Sequence, residues 1–428
     1  MRKGLLIYAL ALLSIACQKE EAERAAVFVK SYGLQGNSRL NDVLELANGD
    51  LLFCGQVSKP AFISNASSDI SGGTLEESSP ALILTDAEGN LKEQRLYPIN
   101  YADIDPAIEI DDLYGLANFL EVLPLANGGY LVHGEFRGFG FDIPTVNLSR
   151  ERSTSNSTPF LARFNANLEM LEFQNLNGSP PWDRRLYSGG VLKAKPDQSG
   201  FVFMIGFSVG FPGGFLGYRL MELDENGQEI KTTSFYNSSE LKFARDFTFL
   251  NDDEIGVVGQ LGGDYQIFRV DAGSFFEFTK VFLAPDGTNQ TFNDNAILIE
   301  KLAGGEVFCF YTQPVEINYM HILDSRLASQ SKEDLEPDHI DQYPLKSNIC
   351  RNGDVLLTCI DLEDEFIERS HVYRISPEGE VHWKRTYNGR VQQIKESADG
   401  GIFVLADLFY SGGNRKGTFY KISANGTF

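Results

Sequence analysis

A recurring pair of apolar strands around a glycine turn constrains this sequence more than any other feature. Such hairpin patterns begin at Asp42, Phe119, Val191, Arg245, Ala296, Leu345 and Val391. Asn-Gly or Gly-Gly between two apolar runs is typical of a β-hairpin, because its tight turn needs a residue with positive φ. The chain is therefore predicted to consist of repeated hairpins.

A second kind of hairpin alternates with the first. Its turn has Asp or Ser, two further residues and Gly, and its second strand is more polar. Copies begin at Ala81, Phe160, Tyr218, Tyr265, Met320, His371 and Gly417, and the last copy stops at its turn. The two hairpins supply four strands per repeat at a shortest spacing of about 47 residues, which is typical of the blades of a β-propeller.

The strand count leaves one strand unassigned near the N-terminus. The seventh repeat lacks its fourth strand, whereas Val27 to Tyr32 has a strand pattern and no partner of its own. Pairing the two would remove an open sheet edge, which otherwise invites aggregation. We therefore predict an all-β fold over residues 27–428: one seven-bladed β-propeller of four-stranded blades, closed by the N-terminal strand in the last blade.

The repeats resemble those of secreted bacterial propellers of the quinoprotein-like group. Their blades carry Gly-Gly-Tyr and an aliphatic residue, followed by Lys-x-Asp-x-x-Gly-x-x-x-Trp; here Trp383 keeps the tryptophan. The resemblance covers residues 27–428 and implies the fold. It does not imply the reaction, because the sequence lacks the adjacent cysteine pair and the metal ligands of pyrroloquinoline quinone enzymes.

The first 16 residues are predicted to be a cleaved export signal. Arg2 and Lys3 precede an apolar run from Leu5 to Ala16, which is too short for a permanent membrane helix. The run from Leu13 to Cys17 resembles the lipobox of bacterial lipoproteins, whose cysteine carries fatty acyl chains such as palmitate. An ordinary secretory signal with an unrelated cysteine is the alternative.

A charged tether follows this signal, at residues 17–26. Its start, Gln18, Lys19, Glu20 and Glu21, resembles the export signal that directs Bacteroidetes lipoproteins to the outer face of the outer membrane. We therefore expect a lipid-anchored outer-membrane protein exposed at the cell surface. If the tag has no effect, a periplasm-facing location is the alternative.

Charge and cysteine content exclude several classes of protein. The 59 acidic residues outnumber the 37 basic ones, and the net charge of −22 argues against nucleic acid, which needs a basic face. The sequence has five cysteines and no CxxC motif, so we expect neither a disulfide framework nor a zinc site. Four of the cysteines are expected in inner strands as small core residues, and the strand histidines are expected to be structural. These cysteines are Cys54, Cys309, Cys350 and Cys359.

The long connections are predicted to lie on one face. Residues 58–80, 137–158 and 208–217 join second to third strands, whereas 98–118 and 177–190 join one repeat to the next. In a blade these two kinds of connection share a face, and the short glycine turns share the other. Long loops in a compact domain usually carry function, so we expect this face to bind a partner.

Aromatic and basic residues on these connections are the candidate binding residues. Trp, Tyr and Arg dominate interface hot spots, and aromatic rings beside polar groups suit a sugar. The candidates are Phe139, Phe141, Trp182, Arg184, Arg185, Tyr187, Phe211 and Phe215. Packing of these aromatic side chains onto the blades is the alternative interpretation.

One acidic connection is a candidate calcium site, because hard cations prefer carboxylate oxygens. Its carboxylates are Asp103, Asp105, Asp111 and Asp112. The spacing is not that of an EF-hand, and a solvated acidic turn is the alternative. We expect no other cofactor.

We favour a non-catalytic binding or scaffold subunit on the outer membrane. Its acyl chains would bind the membrane, and the loop face would bind an envelope protein, for example a TonB-dependent transporter, or a glycan. The sequence shows no nucleophile-elbow motif. A propeller hydrolase or lyase acting on a glycan, with carboxylates near the axis, is the main alternative; a periplasmic assembly factor is another.

Overall fold

The computed structural model describes most of the chain between Phe28 and Thr427. The described residues are 28–32, 37–61, 75–98, 116–137, 157–175, 185–209, 215–236, 241–252, 254–261, 264–271, 278–280, 295–302, 304–312, 318–323, 329–334, 342–361, 369–409 and 415–427. Every helix or strand element among them is a β-strand, which confirms the all-β prediction. No helix with the length and apolar character to cross a membrane occurs in these ranges.

Strand β1 (Phe28–Ser31) precedes six groups of four consecutive antiparallel strands and a last group of three, here called units. Unit 1 contains β2 (Asn37–Glu45), β3 (Leu51–Ala61), β4 (Leu75–Thr85) and β5 (Leu91–Leu96). Unit 2 contains β6 (Leu116–Pro124), β7 (Tyr130–Arg137), β8 (Ser157–Phe164) and β9 (Met170–Asn175). Unit 3 contains β10 (Arg185–Ala194), β11 (Gly200–Val209), β12 (Phe215–Asp224) and β13 (Glu229–Tyr236).

The same order of strands continues to the C-terminus. Unit 4 contains β14 (Leu241–Phe249), β15 (Glu254–Leu261), β16 (Asp264–Asp271) and β17 (Phe278–Lys280). Unit 5 contains β18 (Asn295–Lys301), β19 (Val307–Thr312), β20 (Asn318–Leu323) and β21 (Ser329–Asp334). Unit 6 contains β22 (Gln342–Ile349), β23 (Val355–Asp361), β24 (Arg369–Ile375) and the first half of β25 (Val381–Glu396). Unit 7 contains the second half of β25, then β26 (Ile402–Phe409) and β27 (Arg415–Ile422).

The hairpins form where the turn chemistry predicts them. In the first turn of unit 1, Gly49 adopts a φ of 84°, which favours glycine, and its amide donates to the Leu46 carbonyl at 2.8 Å. In the second turn, one carboxylate oxygen of Asp86 accepts hydrogen bonds from the amides of Glu88 at 3.1 Å and Asn90 at 2.7 Å. Short local contacts therefore set both hairpins of this unit.

Some units join into larger sheets. Units 1 to 3 form a twelve-stranded sheet, units 6 and 7 form a seven-stranded sheet with β1, and units 4 and 5 form four-stranded sheets. Ser78 pairs with Leu116 to connect units 1 and 2, and Ser157 pairs with Tyr187 to connect units 2 and 3. The first three units are thus linked by backbone pairing as well as by packing.

The N-terminal strand pairs with the last strand of unit 7. It runs antiparallel to β27, from Phe28 opposite Lys421 to Ser31 opposite Thr418, close to the strand predicted at Val27 to Tyr32. The Phe28 ring lies 5.5 Å from that of Phe419. Strand β2 of unit 1 also lies against β25, β26 and β27. The first and last units are therefore in contact.

The hydrophobic core lies between neighbouring units. Leu52 of unit 1 belongs to one buried cluster with Phe119 and Phe164 of unit 2. Phe53 of unit 1 belongs to another with Leu405 of unit 7. Full burial of a side chain of this size stabilises a fold by about 1.5–3 kcal/mol, so the contacts between units are a main source of stability.

The two ends of the units differ in their connections. The turn side carries the turns between first and second and between third and fourth strands. The loop side carries all the other connections. On the loop side, β3 and β4 remain paired as far as Ala61 and Leu75. The prediction of a loop over residues 58–80 is therefore wrong at both ends, because backbone pairing extends the hairpin into it.

Candidate functional site

A one-residue bulge recurs in the first strand of every unit. Two residues of the first strand stand opposite one residue of its neighbour, which bends the strand and redirects its side chains. The bulged residues are Asn41, Leu120, Gly189, Arg245, Ile297, Leu345 and Gln392. Charged side chains follow these bulges, and together they form what we call the first-strand cluster.

Asp42 joins three units through its carboxylate. One oxygen accepts the Val43 amide at 2.8 Å, and the other accepts the Val122 amide of unit 2 at 3.1 Å. From unit 7, the Lys395 ammonium lies 2.5 Å away and the Gln393 amide donates at 3.2 Å. The carboxylate is almost completely buried, with 1% exposure. Its charge is therefore balanced by a lysine and by backbone dipoles.

Asp246 repeats this arrangement in unit 4. Its oxygens accept the amides of Phe247 at 2.9 Å and of Ile299 in unit 5 at 3.0 Å. Lys193 of unit 3 lies 3.1 Å from Asp246 and 3.6 Å from Glu300 of unit 5. One aspartate and one lysine thus link three consecutive units.

The charges in this part of the cluster shift the pKa values of Lys193 and Glu300. Burial alone would lower the pKa of Lys193, but the carboxylates of Asp246 and Glu300 outweigh it and raise the pKa above its ordinary value. Burial, together with the Asp246 charge, raises the pKa of Glu300, although Lys193 opposes the effect. Lys193 therefore stays protonated and is a poor base.

Glu121 connects first strands that are not neighbours in the sequence. Its carboxylate accepts the Leu192 amide of unit 3 at 3.0 Å and lies 3.5 Å from the Lys346 ammonium of unit 6. Burial alone would raise the pKa of Glu121, but Lys346 and His133 outweigh it and lower the pKa to about 2. Glu121 is therefore ionised at neutral pH.

His133 is fully buried beside this carboxylate. Its Nδ1 lies 3.3 Å from Glu121, and its ring centroid lies 4.6 Å from that of Phe203. A Cβ on Gly190 would lie only 2.9 Å from the other ring nitrogen, so this close approach requires glycine. The packing agrees with the structural role expected of a strand histidine.

The first-strand cluster has four carboxylates and three lysines, so most of its charge is balanced internally. These residues are Asp42, Glu121, Asp246, Glu300, Lys193, Lys346 and Lys395. Within the described ranges, no group of three or more histidine, cysteine or acidic side chains is arranged to hold a metal ion. The geometry suits a set of contacts that hold the first strands together.

The buried cysteines lie where small core residues are needed. Cys54, Cys309 and Cys359 lie buried in second strands, and Cys350 lies buried in the turn directly after β22 rather than within a strand. Burial is the main cause that raises the pKa of Cys54 well above its ordinary value and that of Cys350 to about 12. Thiols of this kind are inert at neutral pH.

Three of the predicted binding residues lie in described strands on the loop side. Arg185 begins β10 opposite Val209, and Phe215 begins β12 opposite the same valine. Tyr187 lies two residues beyond Arg185 and pairs with Ser157 of unit 2. Arg185, Val209 and Phe215 thus lie in one row across the adjacent strands β10, β11 and β12. At ordinary strand spacing, the Cα atoms of Arg185 and Phe215 are about 10 Å apart.

The other predicted functional residues lie outside the described residues. They comprise the lipidation and tag residues, five loop residues and the four candidate calcium ligands. These are Cys17, Gln18, Lys19, Glu20, Glu21, Phe139, Phe141, Trp182, Arg184, Phe211, Asp103, Asp105, Asp111 and Asp112. They remain predictions from the sequence.

No protein-family model and no curated protein matches the chain. The chain is 14% identical to a protein of unknown function from Bacteroides caccae, covering 63% of this chain and 87% of that one with a TM-score of 0.38. It is 10% identical to a DUF4221 member from Bacteroides vulgatus, covering 71% and 93% with a TM-score of 0.41. An oligogalacturonate lyase in complex with manganese is 11% identical, covering 92% and 98% with a TM-score of 0.44. Likenesses this distant identify no function.

Proposed function

We propose that this protein is a lipid-anchored, seven-bladed β-propeller that acts as a non-catalytic binding or scaffold subunit. Each four-stranded unit would be one blade, and β1 would complete the seventh. Most consecutive first strands lie beside one another, β6 and β10 are linked by the hydrogen bond from the Leu192 amide to Glu121, and β2 lies beside β25 at the ends of the series, which supports a closed arrangement. Residues 1–16 would be removed, and Cys17 would carry the acyl chains.

The state of the first-strand charges carries the proposal of a non-catalytic role. Both carboxylate oxygens of Asp42 accept hydrogen bonds from backbone amides, and one of them also contacts the Lys395 ammonium. Neither oxygen is therefore placed to accept a proton from a substrate. Glu121, with a pKa of about 2, is a weak base at neutral pH. A glycan hydrolase or lyase needs a carboxyl group with a pKa nearer neutrality. Burial does raise the pKa of Glu300, but one of its oxygens lies 3.6 Å from the Lys193 ammonium and the other accepts a hydrogen bond from Ser347 at 3.1 Å, so this environment favours binding over catalysis.

The loop side is the proposed binding surface. The connections between second and third strands and between units meet there, and the register places Arg185 and Phe215 in one row. Trp182 and Phe211 would contribute from the adjoining connections, with calcium at Asp103 to Asp112 as a further proposal. The partner would be an envelope protein, such as a TonB-dependent transporter, or a glycan at the cell surface.

Site-specific photo-crosslinking in the native bacterium tests this proposal. A photoreactive phenylalanine analogue would replace Trp182 or Phe211 on the loop side, or Glu88 or Glu378 in the matched, exposed turns of units 1 and 6. We expect adducts from the loop-side positions alone, which digestion with protease or glycosidase would assign to protein or glycan. Equal yields from both sides, or adducts from the turn side alone, would contradict the proposed binding surface.

The cell-surface location has its own test. Replacing Cys17 by Ser should release the protein from the membrane fraction, because the acyl chains would be its anchor. Replacing Lys19, Glu20 and Glu21 by Ala should protect it from protease added to intact cells. Protection of the parent protein as well would favour the periplasmic alternative.

A further inference from the structure

The exposed apolar side chains collect at the turn side. Among the described residues, seven large hydrophobic side chains are exposed, and six of them stand first or second in a fourth strand, with β1 counted as that of unit 7. A fourth strand begins at the turn side of its unit. The six residues, here called the turn-side rim, are Val29, Leu91, Met170, Leu171, Ile230 and Val381. The seventh, Leu96, ends β5 on the loop side.

The turn-side rim recurs from unit to unit. It includes residues of units 1, 2, 3, 6 and 7, which are all the units whose fourth-strand side chains the structure describes. Leu91, Met170 and Val381 share one register position, opposite the last residue of the third strand. A single exposed apolar residue needs no explanation, but a recurring position does. In the proposed propeller these residues would stand at one level, where a flat surface contacts several of them.

The chain enters strand β1 beside this rim. A Cβ on Gly89 would lie only 2.8 Å from the ring of Phe28, the first residue of β1. The Lys30 ammonium donates to the side chain of Asn90 at 3.1 Å. Gly89 and Asn90 belong to the second turn of unit 1, directly before Leu91. The start of β1 therefore lies at the turn side.

The length of chain before β1 indicates what covers the rim. Cys17 stands eleven residues before Phe28, and a fully extended chain spans at most about 3.6 Å per residue, so the two are separated by no more than about 40 Å. An acyl anchor on Cys17 would therefore hold the turn side close to the membrane. The loop side would lie farther away by the length of a strand.

The chemistry of the turn side suits an uncharged lipid surface. A chain with a net charge of −22 is repelled by anionic lipid, whereas apolar side chains enter the boundary between headgroups and acyl chains. The second turns of units 2 and 7 present exposed alanine and asparagine at their tips, and that of unit 1 presents Ala87 and Glu88. Polar groups of this size are accommodated among headgroups.

We propose that the turn-side rim rests on a zwitterionic phospholipid bilayer. The apolar side chains of the rim would enter its surface, and the loop side would face away from the membrane. This inference rests on the proposed lipid anchor, to which it adds a second membrane contact and an orientation. It requires no particular partner on the loop side.

Fluorescence quenching by brominated phosphatidylcholine in vesicles tests the contact on the full mature chain. A maleimide lipid coupled to Cys17 supplies the anchor whether or not the cell acylates that residue, since the four described cysteines are buried. A fluorescent amino acid would replace Leu91 or its matched control Leu96, exposed leucines at opposite ends of β5, with 56% and 38% exposure. We expect roughly threefold stronger quenching at position 91. Equal quenching at both positions, or none at position 91, would overturn the proposal.

A variant tests whether the rim itself makes the contact. With the fluorescent amino acid at position 230, Leu91→Ser should lower the quenching roughly twofold, because less apolar area remains to enter the bilayer. Leu96→Ser is the matched control and should leave the quenching unchanged. Thermal unfolding of each variant checks that the fold persists. Parent-like quenching in folded Leu91→Ser would contradict a membrane contact through the rim.

Two further outcomes would assign the rim to something else. If the reporter at position 91 became shielded from iodide as the protein concentration rose without vesicles, a second copy of the chain would be the occupant. Stronger quenching in phosphatidylglycerol vesicles would show a contact governed by charge. Either result would overturn the proposal. The anchor itself is tested by Cys17→Ser in cells and the loop side by crosslinking, so each of the three can fail while the others stand.

Discussion

Asp42 and Asp246 occupy equivalent positions in units 1 and 4, yet they connect different parts of the chain. Each accepts its own following amide and an amide of the next unit. The lysine beside Asp246 comes from the preceding unit in sequence, whereas Lys395 beside Asp42 comes from the far end of the chain. The same local contact therefore supports a continuous segment in one place and the junction of the two chain ends in the other.

The surroundings of the two lysines also differ. Lys193 has a second carboxylate nearby, that of Glu300, whereas the other contact of Lys395 is the Val43 carbonyl at 3.2 Å. Among the described residues, loss of Asp42 would thus leave Lys395 without a carboxylate at the junction of the chain ends. Loss of Asp246 would not. Residues at equivalent positions of two units can therefore contribute unequally to the stability of the fold.

The largest expected effect comes from removing the strand that completes unit 7. Deletion of Phe28–Ser31 would expose the edge of β27 and remove the Phe28 ring from its contact with Phe419. We expect aggregation or a fall in Tm of about 10 °C or more, measured by thermal unfolding. Deletion of residues 65–68, a polar part of the connection between β3 and β4, is the matched control.

This control should stay folded, because shortening a connection changes its closure entropy only slightly. If the strand deletion melted with the parent, the junction of units 7 and 1 would contribute little. The contrast between the two aspartates would then lose its basis.

The next effect compares the two aspartates directly. Asp42→Asn should lower the free energy of unfolding by about 3 kcal/mol, because it removes a buried carboxylate from beside half-buried Lys395. Asp246→Asn should cost about 1 kcal/mol, since Glu300 still accompanies Lys193. Urea unfolding of both variants at neutral pH measures the difference. Equal losses of unfolding free energy would show that the contact at the junction of the chain ends contributes no more to stability than the equivalent contact within the chain.

The hairpins were predictable because the turn signal is local. The spacing of the cluster was also present in the sequence: Asp42 stands seven residues before Gly49, and Lys346 stands seven residues before Gly353. Aligning the repeats on their turn glycines would have placed both residues on one level. The first strands were predicted to be apolar, so the charged positions in them were not recognised.

The partners of these residues were not predictable from one sequence. Glu121 meets Lys346 from a unit that does not adjoin its own, and Arg39 meets Asp407 from the opposite end of the chain. Such contacts depend on how the units are arranged in space. The loop-side site was predicted from composition and chain position, and of the three candidates that the structure describes, the register brings Arg185 and Phe215 into one row.

The smallest expected effect concerns a third carboxylate of the first-strand cluster, Glu121. Its contribution to stability is expected to depend on pH. The lowered pKa of Glu121, about 2 against an ordinary 4.5, means that its ionised form stabilises the folded state. This stabilisation, roughly 3 kcal/mol, is fully present above pH 4.5 and is lost as the pH falls towards 2. Glu121→Gln should therefore flatten the acid limb of the stability curve, measured as urea midpoints between pH 7 and pH 2.5.

Glu300→Gln is the opposing control, because the pKa of Glu300 is raised in the folded protein. A raised pKa stabilises the fold at low pH, and that contribution is lost as the pH rises through the folded-state value. Removing the Glu300 charge should therefore leave stability at neutral pH unchanged or slightly higher, whereas removing the Glu121 charge should lower it. If the stability of the two variants changed with pH in the same way, the contact with Lys346 would not stabilise the ionised form of Glu121. The contact between units 2 and 6 would then be incidental to the fold, unlike those made by Asp42 and Asp246.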